Sequence, residues 1–499
     1  MEKRASYHIF YYAFLWYDYE VGTIPMKNKE KKKQCVWQDL KGFTSNTKWK
    51  RVREVDNSPA YFDEMCYFYE YTHQILFDKH ENTHVLHFER VELEENNSQV
   101  RYVIEAEGKA YNLKVDKICL DLYELGVGIL SFYVENDMED FDAKDVCAIN
   151  FYGRCVYLPF RNAREVFCIP SKLSIIGLGD DYSHEYKSLK DSFETSFSSW
   201  ELPKHIYKLL CSDLFCSYSN AVIAPALDNR MFVNCWYYDN DLAGELSSLD
   251  LKKDKNDSVF IWKAFYGIDK LDSSEGEIDN EEVCAHTYTL WQNGGTLYGY
   301  TRYSFVVLTN TQFIKKHIQT LYSRILKLVL LQKSSILHFS KDIGVISLNQ
   351  DNEEFLIKIV QRMYNQYITF LNHIYFDDIT PQTQGMEFYN ILQRELEVVK
   401  GVTKLNQSIG EVYNSLSAAM YASKRDRQSR ALNWIAVLFL PPSLVTGFCG
   451  MSQLWYKEFT FDLFMVECLW SVVITLMLAC LFWIITRSSD KSKKPRLFS

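Results

Sequence analysis

Ala431-Leu-Asn-Trp-Ile-Ala-Val-Leu-Phe-Leu-Pro-Pro-Ser-Leu-Val-Thr-Gly-Phe-Cys-Gly-Met-Ser452 runs on through Gln453 and Leu454 without a charged side chain. At ~1.5 Å per helical residue, such a run reaches most of the way across a ~30 Å hydrocarbon core. A second apolar run, Leu463 to Thr486, carries one acid, Glu467, near its start. Buried helices of soluble proteins are rarely so long and so free of charge on every face. The sequence therefore predicts a transmembrane hairpin: a first helix over 431–452, a loop over 453–462, a second helix over 463–486 and a basic tail over 487–499.

The flanks set an orientation. Lys424, Arg425, Arg427 and Arg430 precede the first run, and Arg487, Lys491, Lys493, Lys494 and Arg496 follow the second. The loop holds Lys457 against Glu458 and Asp462. An excess of Lys and Arg marks the cytoplasmic side, so both termini are expected inside and the loop outside.

Leu440-Pro441-Pro442-Ser443, Gly447 and Gly450-Met451-Ser452 resemble the first membrane helix of the CorA family of divalent-cation channels. That helix has a mid-span proline, a small polar residue two positions later and a closing Gly-Met-Asn; Ser452 stands where the family has asparagine. The resemblance implies a homopentamer in the lipid bilayer of the plasma membrane, a funnel-shaped cytoplasmic body, and passive passage of hydrated Mg²⁺, with Co²⁺, Ni²⁺ or Zn²⁺ as further candidates. It implies a pore face of Asp426, Ser429, Asn433, Ala436, Leu440, Ser443, Gly447 and Gly450. There Leu440 is an apolar constriction, Ser443 and the Gly447 carbonyl offer oxygen, and Asp426 rings the inner mouth. Glu458 and Asp462 would gather cations outside. Mg²⁺ keeps its waters, so an asparagine amide suits an outer filter, and Ser452 makes a wider ring. Conduction requires several copies, because one apolar hairpin encloses no water. Two further readings stand beside the channel: a membrane-anchored sensor or scaffold that has lost conduction, and a proton-coupled Zn²⁺ transporter.

The preceding residues read as a mixed α and β body over 1–310 and a helical stalk over 311–430. Tyr7 to Trp16 is an aromatic strand without a cleavage site. Tyr102 to Val115 is a hairpin turning at Glu107-Gly108, and Ile118, Leu120 and Leu122 alternate with Cys119, Asp121 and Tyr123 as one strand does. Val259–Phe265 and Tyr303–Leu308 read as strands, and Pro203–Tyr218 as a helix. Long helices are expected over Gln312–Asp342 and Asn352–Phe376. A third is expected unbroken from about Gly385 into the first span, with a seam of Ile391, Val398, Val402, Leu405, Ile409, Val412, Leu416 and Ala419.

Charge and cysteine usage narrow the partners. From Lys424 onward ten basic face five acidic residues, so of the net −9 the first 423 residues carry −14. So acidic a body disfavours nucleic acid. Thirteen cysteines without a Cys-x-x-Cys fit a reducing compartment. Gly126-Val-Gly128 lacks the third glycine of a dinucleotide loop. His80, His84 and His87 cluster in sequence, but a strand from Val85 scatters them and no cysteine or acid stands at ligand spacing. The acid pairs Asp180-Asp181, Asp239/Asp241 and Asp377-Asp378 are candidate regulatory Mg²⁺ sites. No nucleophile–base pair stands out, and no enzymatic activity is expected.

Overall fold

A computed structural model describes residues 4–17, 37–53, 59–79, 83–93, 99–156, 169–179, 182–186, 202–215, 222–228, 230–271, 279–348 and 353–414, with scattered positions beyond. The chain divides into two compact units, Met1–Asp342 with Asn365–Leu405, and Ile343–Tyr364 with Asn406–Ser499.

The first unit is built on one large mixed sheet. Its central strand is β1 (Arg4–Tyr17), buried at every residue from Ser6 to Trp16. Strands buried on both faces read as continuous apolar runs, and this one does. β1 pairs antiparallel with β6 (Val127–Asn136) on one side and with β10 (Phe232–Asp239) on the other. Outward from β6 come β5 (Lys109–Tyr123), β4 (Arg101–Ala106), β7 (Lys172–Ile176) and β8 (Tyr182–Glu185). Outward from β10 come β13 (Ser304–Thr309), parallel to it, then β12 (Thr296–Thr301) and β11 (Thr287–Tyr288). Off this path, β2 (Trp49–Arg51) pairs with β3 (Val85–Arg90), β3 with β5, and β9 (Val222–Pro225) with β1.

The hairpin of β4 and β5 turns at Glu107 and Gly108, both with positive φ (51° and 77°), as expected. A two-residue turn of that kind matches the twist of its strands. β5 is long enough to pair with β4 through its first half and β3 through its second. Gly128 answers the Gly-x-Gly question: the Phe14 ring occupies the space a Cβ would fill, so the residue serves close strand packing.

Alternation along β1 separates the two faces of the sheet. Phe10, Tyr12, Phe14 and Trp16 belong to the main apolar cluster, with Trp262 and Phe265. Burying one such side chain stabilises by about 1.5–3 kcal/mol. Over this face lie α2 (Ala143–Gly153) and α4 (Asp257–Gly267); α1 is Pro59–Tyr67 and α3 is Asn240–Ser247. Helix α2 starts at a capping box in which Asp142 accepts from Asp145 N–H and the Asp145 side chain accepts from Asp142 N–H. Helix α4 replaces the strand expected over Val259–Phe265. Asn256 caps it, and Val259, Trp262, Phe265 and Tyr266 return to the core at helical spacing. Residues 204–212 are a short helical segment within the longer one expected from Pro203, α-helical to Tyr207 and π-helical to Ser212.

After the sheet come α5 (Ile314–Gln319), α6 (Leu321–Leu348), α7 (Glu353–His373) and α8 (Thr383–Glu395). The first expected long helix is thus broken, at Thr320 (φ −115°, ψ −87°). The third is broken too. Leu396 and Glu397 form a turn, Glu397 takes a left-handed φ of 51°, and helix resumes over 398–414. Val398, Val402, Leu405 and Ile409 of the expected seam are buried. Gln332 ties α6 to its neighbours, donating to the Ile374 carbonyl (2.9 Å) and Tyr389 Oη (2.8 Å) while Gln393 donates to its Oε1 (3.1 Å).

Among the described residues, no helix is long and apolar enough to cross a membrane. This corrects the expected fold of body, stalk and two-helix membrane hairpin, with its CorA-like funnel, and the plasma-membrane placement with both termini inside. The two runs behind that expectation contribute only scattered described positions (Leu432, Ala436 and Ser443; Met465, Val466, Leu469, Trp470, Val473 and Met477), each helical and exposed; the loop and basic tail lie outside the described residues. The long described helices carry too much charge for a span, as at Arg324, Lys327, Lys333, Lys341 and Asp342 of α6.

Candidate metal centre

The site grows from the pairing of β3 with β5. In that antiparallel register His87 faces Asp121, Phe88 faces Leu120, and Glu89 faces Cys119. Alternation sends Phe88 and Leu120 into the apolar core and places His87, Glu89, Cys119 and Asp121 together on the opposite face. Lys117 joins them one β-bulge below. Helix α6 brings Ser323, Arg324 and Lys327 over this polar face and leaves a cavity of about 120 Å³.

Each nitrogen of His87 has a carboxylate. Nδ1 lies 2.7 Å from Asp121 Oδ1, and Nε2 lies 3.2 Å from Glu89 Oε1. Cys119 Sγ donates toward the same Glu89 oxygen at 3.8 Å. Asp121 Oδ2 meets Lys327 Nζ at 2.7 Å. Around this centre further charges are paired, while Lys117 lies over the Tyr133 ring. Arg51 donates to both oxygens of Asp78 (2.7 Å each), Asp78 also accepts the His87 backbone N–H (3.1 Å), and Arg324 reaches Glu64 (3.2 Å). Ser323 Oγ sits 2.8 Å from both Tyr11 Oη and Tyr133 Oη.

These neighbours set the protonation states. Burial alone would strip His87 of its proton, but the charge and hydrogen bond of Asp121, with Cys119 and Glu89, hold the imidazolium well above its usual range. Burial raises Glu89, yet the hydrogen bond and charge of His87, then Lys117 and Lys327, bring its carboxyl down to about 2. Burial is likewise outweighed at Asp121, lowered by Lys327 and His87. Lys327, against Asp121, is held well above the ordinary lysine value despite its burial.

His87, Glu89 and Cys119 each offer a donor atom, and these atoms all lie within 4.8 Å of one another. Metal–ligand bonds of about 2.0–2.3 Å around a tetrahedral ion place ligand atoms roughly 3.3–3.8 Å apart. The 3.2 Å and 3.8 Å separations at Glu89 approach those edges. Asp121 on Nδ1 leaves Nε2 as the coordinating nitrogen, the usual carboxylate support of a metal-bound histidine. Lys117 and Lys327 oppose a cation here. The opposition is offset if the ion displaces the protons of His87 and Cys119, since a dication then enters as two positive charges leave.

The pore residues expected from the sequence are placed in part. Ser429, Ala436 and Ser443 are exposed helical positions. Asp426, Asn433, Leu440, Gly447, Gly450, Met451, Ser452, Glu458 and Asp462 lie outside the described residues, as do His80 and Asp180-Asp181. His84 binds Glu124 (2.6 Å) with its ring tilted against that of His373, so of the two described histidines of the trio His87 is the one that enters the site. Asp239 is committed elsewhere: it caps α3 by accepting from Asp241 and Leu242 N–H and pairs with Arg4 (2.9 Å). The signal in the sequence was the alternation of 118–123, which puts Cys119 and Asp121 on one strand face; the register against β3 was not visible there.

No protein-family model, curated protein or solved structure matches this chain.

Proposed function

We propose that this chain is a divalent-metal-responsive sensor, with a borderline cation of the Zn²⁺ or Co²⁺ type held by His87, Glu89 and Cys119. The observation that carries the reading is the three-donor cluster formed across β3 and β5, with Asp121 orienting His87. A thiol and an imidazole favour such ions over Mg²⁺, which prefers all-oxygen ligands. Three protein ligands beside a cavity leave the fourth position to water, as in open rather than closed zinc sites. Because α6 closes the cavity through Lys327 and Ser323, rearrangement of the Asp121 pairs on ion entry would be felt by that helix. The CorA resemblance of Leu440–Ser452 enters this proposal through its cation class and through the homo-oligomer it implies. Passage across a bilayer is not part of it.

The test is equilibrium dialysis of the full chain against Zn²⁺ with excess Mg²⁺. The expected result is one tight Zn²⁺ per chain that Mg²⁺ does not displace and that is weakened at least tenfold in Cys119→Ser and in His87→Gln. Zn²⁺ bound equally well by both variants would overturn the assignment.

A further inference from the structure

A second charged place is built in another way and is independent of the metal reading. Arg154 follows directly on α2 and is 4% exposed. Its Nε and Nη1 are buried without a hydrogen-bond acceptor, and Arg230 Nε is buried in the same condition. Arg230 keeps one long contact, Nη2 to Asp228 at 3.4 Å. The backbones are fixed side by side by a bridge between Cys155 and Arg230 and by Met231 N–H donating to the Arg154 carbonyl (2.7 Å). Both guanidinium carbons stand 5.5 Å from the centroid of the Tyr303 ring, which is 40% exposed in the turn between β12 and β13.

A buried arginine beside a second, half-buried one needs a reason. Burial and then the neighbouring Arg230 pull the Arg154 pKa down to about 10, while Asp228 and Asp269 act on it only through longer-range attraction. An unpaired buried charge is strongly unfavourable, and unsatisfied buried N–H groups in native proteins point to a missing partner. A cation beside the Tyr303 ring gains from the ring's quadrupole without using an N–H acceptor. It leaves the in-plane N–H edges, which match the oxygens of a tetrahedral or carboxylate anion.

We propose that Arg154 and Arg230, held against Tyr303, bind a phosphate-type oxyanion, free or as a small monoester, through these unpaired N–H edges. The full chain in chloride buffer is titrated calorimetrically with inorganic phosphate and, separately, with glycerol 3-phosphate. The expected result is saturable binding of one phosphate group per chain, weakened at least tenfold in Arg230→Gln and in Arg154→Lys. Arg230 is partly exposed, so its variant keeps the test valid if the Arg154 variant fails to fold. Tighter binding of the ester assigns the natural source to an esterified phosphate, and tighter binding of inorganic phosphate to the free ion. No saturable binding of either probe, or unchanged affinity in Arg230→Gln, would overturn the proposal.

Discussion

Around His87 most of the buried charges are paired at hydrogen-bond distance, Lys327 with Asp121, His87 with Asp121 and Glu89, Arg51 with Asp78, while Lys117 lies over the Tyr133 ring. Around Arg154 two guanidinium groups share a tyrosine ring and leave buried N–H groups without acceptors. Both places bury charge beside the same sheet. The difference teaches that burial alone does not tell what a charged group does for the fold. A paired cluster resists the loss of any member, because each removal strands a partner. An unpaired one is a cost in the empty protein, recovered only when a ligand arrives.

The sharpest way to break this comparison is to remove the hub of the paired cluster. Asp121→Ala strands Lys327 and the His87 imidazolium, and is expected to destabilise by about 3–5 kcal/mol in urea unfolding. A loss below about 1 kcal/mol would show that the pairs contribute little.

The next effect comes from histidines buried as neutral rings. His8 lies between Asn150 Oδ1 (2.7 Å) and Ser6 Oγ (3.0 Å), and burial lowers its pKa to about 4. His205, wholly buried, is lowered to about 3 by burial and then by His184. A folded pKa below the unfolded value of about 6.5 means that the unfolded chain takes up the proton first, so stability falls as pH drops below 6.5. The two together predict a loss of about 2–3 kcal/mol between pH 6 and pH 5. His87 has the opposite sign: its contribution is fully present below about pH 6.5 and is lost only as pH rises through its raised folded value. Glu89 and Asp121, depressed by their partners, lose their contribution only in stronger acid. Chemical denaturation at pH 7, 6 and 5 checks the slope, and His8→Asn should reduce it.

A smaller effect is expected at the start of the helix that delivers Arg154. Asp142→Ala removes the capping box of α2 and should lower stability by about 1 kcal/mol, without altering metal binding at His87. The smallest effect sharpens the comparison by its sign. In phosphate-free buffer Arg154→Met should leave stability unchanged or raise it by about 1 kcal/mol, because it removes a charge without stranding a partner. A loss comparable to that of Asp121→Ala would erase the distinction between the two places.

What could be read from the sequence followed local chemistry. The hairpin of β4 and β5 was legible because Glu107-Gly108 is a turn pair between alternating strands. The strand at Ser304–Thr309 was legible for a similar reason, as an apolar run bounded by turn residues. Val259–Phe265 was misread because a short run of six apolar residues around Lys263 fits a buried strand or a helix equally, and the deciding signal, the Asn256 cap, lies outside it. The break at Glu397 carries no glycine or proline to announce it. The uncharged runs after Ala431 were read through length and hydropathy alone, and only scattered, exposed helical positions are described within them. At the metal centre, Cys119 is thirty-two residues from His87 in sequence. Only the register of β3 on β5, fixed by the core packing of Phe88, Leu120 and their neighbours, brings them together.

The most direct test of the central claim is the visible and near-ultraviolet spectrum of the full chain titrated with Co²⁺. A Co²⁺ ion held by His87, Glu89 and Cys119 should give tetrahedral ligand-field bands together with a thiolate-to-metal charge-transfer band, and Cys119→Ser should abolish the latter. A charge-transfer band that persists unchanged in Cys119→Ser, or a spectrum of octahedral all-oxygen coordination, would contradict the account.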